Sequence, residues 1–337
     1  MKFNAVVGNP PYQVMDGGTK NGASNVYQHF VQISQSVTER HVSLITPARW
    51  FMGGKGLDDF RKQMLGGGHI AKLFDYERGT DIFPSVDIAG GVSYYLWDKN
   101  HTGLCEVYNC STTSRVCCTR KLDEFETFIR RKESLEIVKR VLAKHGHDSA
   151  YLSDRVSPRK PFALPTNYEP RKSGIPCWFI QKIGLKYAAA KDVKDDLGLL
   201  NKWKFLVPKA PIAGQTDFSK PVGFYYEGNT RIAKPGECCT ESWVVAGAFS
   251  TKTETESFKS YLFTKVVRFL ILQSVISQDV TRQHYKFVPD LGKYEGVYTD
   301  AQLCKRWEIS ADDWKFIDSR ILAVSEINAK SDKESKR

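Results

Sequence analysis

The sequence predicts an α/β protein: a partial, doubly wound sheet that is followed by a mostly β and irregular domain with helices near its C-terminus. Residues 3–7 and 41–46 are short apolar runs typical of buried strands, and a helical pattern lies between them. Strand, helix, strand is the rhythm of a parallel sheet. Beyond residue 151, recurrent prolines and glycines separate short apolar runs, which indicates a second architecture.

The first strand stops at Asn9-Pro10-Pro11-Tyr12, because proline cannot donate to a sheet ladder. A polar loop follows over residues 13–25, and Ser24 is expected to cap the next helix. The apolar positions of that helix share helical spacing and are Val26, Phe30, Ile33 and Val37. The strand 41–46 then ends at Pro47.

Further elements continue the α/β pattern. A helix is expected near residues 57–65 and a strand near 70–76. Strands at 91–97 and 104–109 are expected to form an antiparallel hairpin that closes the sheet. A charged helix over 122–144 carries Arg130-Arg131-Lys132, which is interpreted as a solvated face rather than a binding patch.

The chain is divided into residues 1–148, a second domain at 149–328 and a disordered tail at 329–337. Residues 258–276 have the periodicity of one long helix. Two capping boxes predict two short C-terminal helices; their residues are Thr299 with Gln302 and Ser310 with Asp313.

Composition limits the function classes. The 337 residues include 49 Lys and Arg against 38 Asp and Glu, a formal net charge of +11 that suits a polyanionic partner. No apolar run approaches the ~20 residues that span a bilayer, so a cytoplasmic protein is expected. The eight cysteines lack the paired Cys-x-x-Cys spacing of zinc sites, and reduced structural thiols without a metal are expected.

The strand end at Asn9 also offers chemistry. The side-chain amide oxygen of Asn9 and the backbone carbonyl of Pro10 can both accept hydrogens from a planar amine, and Pro11 stiffens the turn. Tyr12 can stack on a planar ring. The same four residues are also compatible with an ordinary turn, since Asn-Pro initiates turns.

With these residues the chain resembles the adenine-specific DNA methyltransferases of restriction–modification systems, in their gamma-like group. Three stretches carry the resemblance, namely residues 3–12 (the motif IV that contains Asn-Pro-Pro-Tyr), 27–51, and 83–92 (motif VIII). The resemblance implies that Asn9, Pro10 and Tyr12 are catalytic and that Tyr12 and Phe83 hold a flipped adenine. It also implies that Asn9 and Pro11 contact S-adenosylmethionine. Phe83 could instead be a core aromatic beside Ile82.

The resemblance is incomplete at the N-terminus. The family carries its Gly-rich cofactor loop upstream of motif IV, where this chain begins, and the glycine clusters at 53–56 and 66–68 lack the strand-to-helix context. We therefore expect a fragment or one half of a split enzyme, whose first strand exposes an apolar edge to an N-terminal cofactor-binding polypeptide. The chain alone is expected to bind S-adenosylmethionine weakly. A cognate restriction endonuclease is a further expected partner.

Basic and aromatic residues alternate in the second domain at 159–162, 201–205 and 282–287, a mixture that suits double-stranded DNA. Each stretch could also be a solvated strand. The candidate DNA-backbone contacts are Lys202, Lys204, Arg282 and Lys286.

The leading hypothesis is methyl transfer from S-adenosylmethionine to the exocyclic amino group of adenine, by direct displacement and without a metal. Two alternatives remain. The chain could be a DNA-binding specificity subunit or an inactive fragment, or the same clamp could act on another planar amine or amide, such as a protein glutamine or RNA.

Overall fold

The structure, a computed structural model, describes residues 2–15, 23–53, 56–86, 88, 90–146, 148–212, 215, 217–275 and 278–328. The expected tail at 329–337 and part of the expected loop at 13–25 lie outside the described residues. The chain divides into two compact units. The first comprises Met1–Ser134 and Thr216–Lys220; the second comprises Leu135–Gln215 and Pro221–Arg337.

The first unit is built around a mixed sheet. Its strands and helices are β1 (Phe3–Gly8), β2 (Gln13–Met15), β3 (Ala23–Asn25), α1 (Tyr27–Val37), β4 (Thr38–Pro47), α2 (Asp58–Gly66), β5 (Ile70–Tyr76), β6 (Val92–Asp98), β7 (Cys105–Cys110) and β8 (Arg115–Arg120). A short 3-10 helix, Ala48–Phe51, follows β4, and another, Gly79–Asp81, follows β5.

Within the described part of this unit, six strands pair in the order β1-β4-β6-β5-β7-β8. The strands β1, β4, β5 and β7 run in one direction, and β6 and β8 run in the other. The predicted mixture of helices with a partly parallel sheet is therefore confirmed at the level of α/β class.

The predicted hairpin between residues 91–97 and 104–109 is wrong. The strand β5 lies between β6 and β7, antiparallel to the former and parallel to the latter. The hairpin that ends the sheet is instead formed by β7 and β8. Strands that follow one another in the sequence often pair, as β6 and β7 were expected to do, but here each of them pairs with the apolar strand β5 instead.

The core of this unit lies against one face of the sheet. Leu44, Leu73, Tyr95 and Val107 stand on neighbouring strands and are almost fully buried. Aromatic side chains from the segment after β4 and from α2 cover them: Trp50, Phe51 and Phe60.

The helix α1 differs from its prediction. Ser24 lies in β3, and the N-cap position is Val26, which makes no side-chain capping bond. The buried face is Tyr27, Val31 and Ser34, whereas two of the predicted apolar positions are exposed, Phe30 by 42% and Ile33 by 59%.

The strand β1 lies at the edge of the sheet. Phe3 is 48% and Val7 77% exposed, which confirms the expected apolar edge. The interpretation of residues 3–7 as a buried strand is correspondingly wrong.

The second unit combines helices with two small sheets. Its elements are α3 (Lys132–His145), α4 (Leu152–Arg155), β9 (Ile175–Trp178), β10 (Leu185–Ala188), β11 (Trp203–Pro208), β12 (Arg231–Ala233), β13 (Cys238–Cys239), β14 (Trp243–Phe249), α5 (Lys252–Phe263), α6 (Lys265–Leu272), α7 (Asp300–Arg306) and α8 (Ala311–Arg320). The described strands pair as β10-β9-β13 and β12-β11-β14. The division between the units falls in the first turn of α3, whereas the sequence suggests a boundary after that helix.

Two predictions for the helices have different outcomes. The single helix expected over 258–276 is wrong, because Thr264 has an extended conformation, ends α5 and caps α6 with its side chain. Both capping boxes, at Thr299 and at Ser310, are confirmed. No helix in the described part of the chain is long and apolar enough to cross a membrane.

Candidate active site at the carboxyl edge of the sheet

The candidate site lies where parallel strands of the first unit end. The carboxyl ends of β1, β4 and β5 meet at one edge of the sheet, and the antiparallel β6 begins there. In open α/β sheets this edge is where ligands bind. The segments that follow these strands are therefore the candidates for binding groups.

The segment Asn9–Tyr12 follows β1 directly. Asn9 and Pro11 are exposed, whereas Pro10 and Tyr12 are half-buried. The backbone carbonyl of Tyr12 accepts a hydrogen bond of 3.2 Å from the amide of Val26, immediately before α1. This bond holds the far end of the turn, while the amide group of Asn9 stays open to solvent.

The Tyr12 side chain combines a packed ring with an unused hydroxyl. The ring packs against the core cluster of the first unit. The hydroxyl is buried and has no hydrogen-bond partner among the described residues. Burial raises the pKa of this phenol, so the group is protonated and can donate. A buried hydroxyl without a partner is costly, which favours a role in holding a ligand or water.

The loop between β5 and β6 carries Phe83. This side chain is half-buried; its backbone amide donates to the carbonyl of Gly79 at 2.9 Å, and its carbonyl accepts from Val86 at 3.0 Å. The loop begins and ends at the same sheet edge as the segment Asn9–Tyr12. That Phe83 and Tyr12 sandwich a base remains a prediction.

A buried ion pair between Arg130 and Asp75 fixes the end of this loop that precedes β6. Arg130 donates from Nε to Asp75 Oδ2 at 2.8 Å and from Nη2 to Asp75 Oδ1, and the Asp75 side chain is fully buried. The same guanidinium donates from Nη1 to the carbonyl of Gly90 at 2.7 Å. Burial raises the pKa of Asp75, and the charge of Arg130 opposes that rise. The interpretation of Arg130 as part of a solvated face is therefore wrong.

A second pair holds the other end of the loop. Arg131 forms a bidentate contact with Glu77, with bonds of 2.8 and 2.7 Å. Bidentate Arg–carboxylate contacts fix geometry as well as charge. The loop is thus anchored at Glu77, directly after β5, and at Gly90, just before β6.

Gly91 makes this anchoring possible. Its φ is +79°, and a Cβ added there would lie 2.0 Å from the carbonyl oxygen of Tyr76. Only glycine fits that approach. The carbonyl of Gly91 accepts a 3.0 Å hydrogen bond from Ala48, so the turn also fixes the segment after β4.

A row of buried polar side chains crosses the sheet just below this edge. Ser93 pairs in register with Thr46 on one side and with Asp75 on the other, and Asp75 pairs with Asn109. The hydroxyls of Thr46 and Ser93 are buried and have no partner among the described residues. Sequence reasoning missed this row. An acid within the apolar run at 70–76 was the available signal, because a buried carboxylate requires a cation.

The candidate DNA contacts of the second unit have different environments. Lys204 is fully buried and donates to the carbonyls of Leu200, Lys202 and Lys234 at 2.6–3.0 Å. Burial lowers its pKa to about 8. The prediction that Lys204 contacts DNA is wrong, because all three of its hydrogens are used inside the protein.

The other three candidates are more accessible. Lys202 is exposed beside β11. Arg282 donates to the carbonyl of Ser153 at 2.6 Å and lies 3.8 Å from Asp154. The Nζ of Lys286 lies 5.4 Å from the centre of the Phe287 ring. Contact of these three residues with DNA remains a prediction.

Comparisons with known proteins support a restriction–modification methylase. Residues 1–83 match the family model described as Eco57I restriction-modification methylase. A Mycoplasma pneumoniae protein named "Uncharacterized adenine-specific methylase" is 30% identical over 106 residues, which are 31% of this chain and 25% of that protein. The chain thus spans about a quarter of the length of the curated relative that it matches.

Similar solved structures also come from restriction–modification systems. The match to the type IIG restriction endonuclease BpuSI covers 86% of this chain and 44% of the BpuSI chain, at 12% identity and a TM-score of 0.35. The match to the type IIL restriction-modification enzyme MmeI, solved in complex with DNA, covers 86% of this chain and 45% of the MmeI chain, at 9% identity and a TM-score of 0.42. Scores of this size do not establish a shared fold.

Proposed function

We propose that this chain carries the amino-group-binding side of a DNA adenine methyltransferase active site. The match of residues 1–83 to a restriction–modification methylase family carries the proposal. The exposed Asn9, at the carboxyl end of β1, lies inside the matched region and supports it.

The chemistry explains why an amide and a carbonyl are needed. The exocyclic nitrogen of adenine is a poor nucleophile, because its lone pair is conjugated with the ring. The side-chain oxygen of Asn9 and the backbone carbonyl of Pro10 accept its two hydrogens and favour a tetrahedral nitrogen. Preorganised acceptors of this kind stabilise the charge that develops during transfer.

The base itself needs a platform. Adenine must leave the duplex before its amino group can reach the turn at Asn9. Tyr12 stacks on one face of the flipped base and Phe83 on the other, and the two anchored ends of the loop 77–91 hold Phe83 in place. Stacking contributes ~1–3 kcal/mol per base.

S-adenosylmethionine, when bound, supplies an electrophilic methyl group. Asn9 and Pro11 are exposed at the end of β1 and fit a contact with it. Gly53 and Gly56 lie between a 3-10 helix and α2, and the glycines at 66–68 lie at the end of α2 and after it, so none of them directly follows a strand as the glycines of a nucleotide-binding strand-to-helix turn do. We assign the rest of the donor site to a further polypeptide segment that pairs with the exposed edge of β1.

Replacement of the acceptor tests the proposal. We expect Asn9→Ala to lower adenine N6-methylation by about 100-fold or more, because one preorganised hydrogen-bond partner is lost. Asn100→Ala, in the exposed turn after β6, is the matched control and should keep full activity. DNA free of prior methylation is incubated with tritiated S-adenosylmethionine, and the methylated base is identified by mass spectrometry.

The assay is run on the chain alone and together with any polypeptide encoded directly upstream. Methyl groups on cytosine, RNA or protein glutamine would contradict the choice of adenine. Binding of DNA without methylation in both arrangements would instead favour a DNA-binding subunit without turnover.

A further inference from the structure

The hairpin of β9 and β10 stands out on the second unit. Its strands pair antiparallel from Leu185 with Trp178 to Ala188 with Ile175. In the order β10-β9-β13, β10 forms the outer strand, and on its outer side the backbone amide of Arg171 donates a 2.8 Å hydrogen bond to the carbonyl of Tyr187. Leu185, Lys186 and Tyr187 on it are all exposed. These side chains project from both faces of the strand and are available to a partner.

The charge of this hairpin has one sign. No Asp or Glu occurs from Pro170 to Lys191, a stretch that carries five cations. They are Arg171, Lys172, Lys182, Lys186 and Lys191. Lys182 and Lys186 are exposed and form no ion pair with any residue that the structure describes. Their charges are therefore free to meet a polyanion.

Apolar side chains lie among these charges. Ile180 is 46%, Ile183 42%, Leu185 43% and Tyr187 43% exposed, all within eight residues. Leu185 and Tyr187 share one face of β10, because side chains alternate along a strand. Scattered exposed apolar residues are normal, but a cluster on a cationic edge marks an interaction site.

The hairpin is held firmly in spite of its exposure. Phe179 donates to the carbonyl of Gly184 at 3.0 Å across the turn, and the Gln181 side chain donates to the carbonyl of Gly228 at 2.9 Å. Behind the strands, Cys177, Phe179 and Ala188 belong to the buried core. A rigid element binds without the entropic cost of being ordered first.

We propose that the β9–β10 hairpin is the element by which the second unit contacts double-stranded DNA, an inference that rests on the function proposed above. A two-stranded ribbon fits the major groove of B-DNA. Lys182 and Lys186 contact phosphates, and Ile183 and Tyr187 make apolar contacts at base edges. If the partner were instead an apolar protein surface, binding would bury Lys182 and Lys186 without counter-charges, which costs a large desolvation free energy.

The experiment measures duplex DNA binding by the full chain through fluorescence anisotropy at several salt concentrations. Lys182→Ala/Lys186→Ala should weaken binding at least about tenfold and reduce the slope of log K against log salt by about 2. The control Lys305→Ala/Lys315→Ala removes two exposed lysines from α7 and α8 and should change neither value. Circular dichroism checks that each variant is folded.

Tyr187→Ala separates the apolar contact from the phosphate contacts. It should weaken binding several-fold while the salt slope stays that of the unsubstituted protein. Hairpin variants that bind DNA as tightly as the control would overturn the inference and leave the proposed function intact. Failure of the folded, unsubstituted chain to bind duplex DNA would overturn both, whereas hairpin substitutions that weaken binding of RNA but not of DNA would overturn the inference alone.

Discussion

At the scale of single residues, the carboxyl edge of the sheet combines exposed and deeply buried polar groups. Asn9 is open to solvent, whereas Asp75 and Arg130 are enclosed and pair with one another. The buried pair contacts the carbonyl of Gly90, beside the turn at Gly91. It therefore positions the loop that carries Phe83.

Removal of one member of this pair should be costly. Arg130→Met is expected to lower the free energy of unfolding by about 3–5 kcal/mol, because it leaves the Asp75 carboxylate buried without a counter-charge. Urea unfolding measures the loss.

Two comparisons test this explanation. The double variant Asp75→Leu/Arg130→Met should recover much of the loss, since no charge is then left unpaired. Lys72→Met, which breaks the pair between Lys72 on β5 and Glu106 on β7, should cost less than about 1 kcal/mol because the two side chains are 43% and 42% exposed. Equal losses for Arg130→Met and Lys72→Met would rule the explanation out.

At the scale of elements, local sequence predicted where many helices and strands form but not always where they end. The predicted strand at 70–76 agrees with β5 and the helix at 57–65 with α2, to within one residue. The apolar run through 258–276 hides a break at Thr264, because threonine both permits an extended backbone and caps the next helix. Periodicity alone does not register such a cap.

A short 3-10 helix, Arg282–Tyr285, shows how one side chain can make an element depend on pH. His284 is buried, and its Nδ1 accepts a 2.9 Å hydrogen bond from the amide of Thr281, which closes a capping box. Burial lowers the pKa of His284 to about 4. Protonation would remove the acceptor and bury a charge.

The sign of the pH effect follows from that shift. The pKa of His284 is lower in the folded state than the unfolded value of about 6.5, so its stabilising contribution is complete above pH ~6.5 and is lost as the pH falls to about 4. The loss should reach roughly 3 kcal/mol, at ~1.4 kcal/mol per pH unit. His284→Gln keeps an acceptor but cannot titrate, so its unfolding free energy should fall less over this range. Parallel pH profiles for the two proteins would refute the assignment.

At the scale of the whole molecule, the cysteines of both units are in the same chemical state, the free thiol. All eight cysteines are free. Cys117 is exposed, whereas Cys177, Cys238 and Cys239 are buried. The hydrogen bond to Cys238 and burial raise the pKa of Cys177, and burial raises that of Cys105 to about 12. Thiolates, the reactive form, are therefore scarce in the interior.

Thiol titration tests this distribution. Without reductant, the eight thiols of the urea-unfolded chain should each release one equivalent of coloured thiol from a chromogenic disulfide reagent. In the native chain, Cys117 should react first. Reductant should not change the urea concentration at the midpoint of unfolding. If the chain contained a disulfide, its reduction would lower the free energy of unfolding by about 2–5 kcal/mol. Fewer than eight thiols in freshly unfolded protein would contradict free cysteines.

Local physical chemistry accounts for what the sequence determined by itself. Proline stops β1 ahead of Asn9 and Tyr12, and capping residues start α7 and α8, since these effects act within a few residues. Neither feature depends on which distant segments meet.

Only the tertiary structure decided the strand order and the buried side chains that depend on it. β5 lies between β6 and β7, which brings Asp75 beside Ser93 and Asn109. Arg130, from a segment that sequence patterns assigned to a solvated helix face, then completes the pair with Asp75. Strand pairing depends on which apolar faces can be buried together over long separations, and that competition is not encoded in any single stretch of the chain.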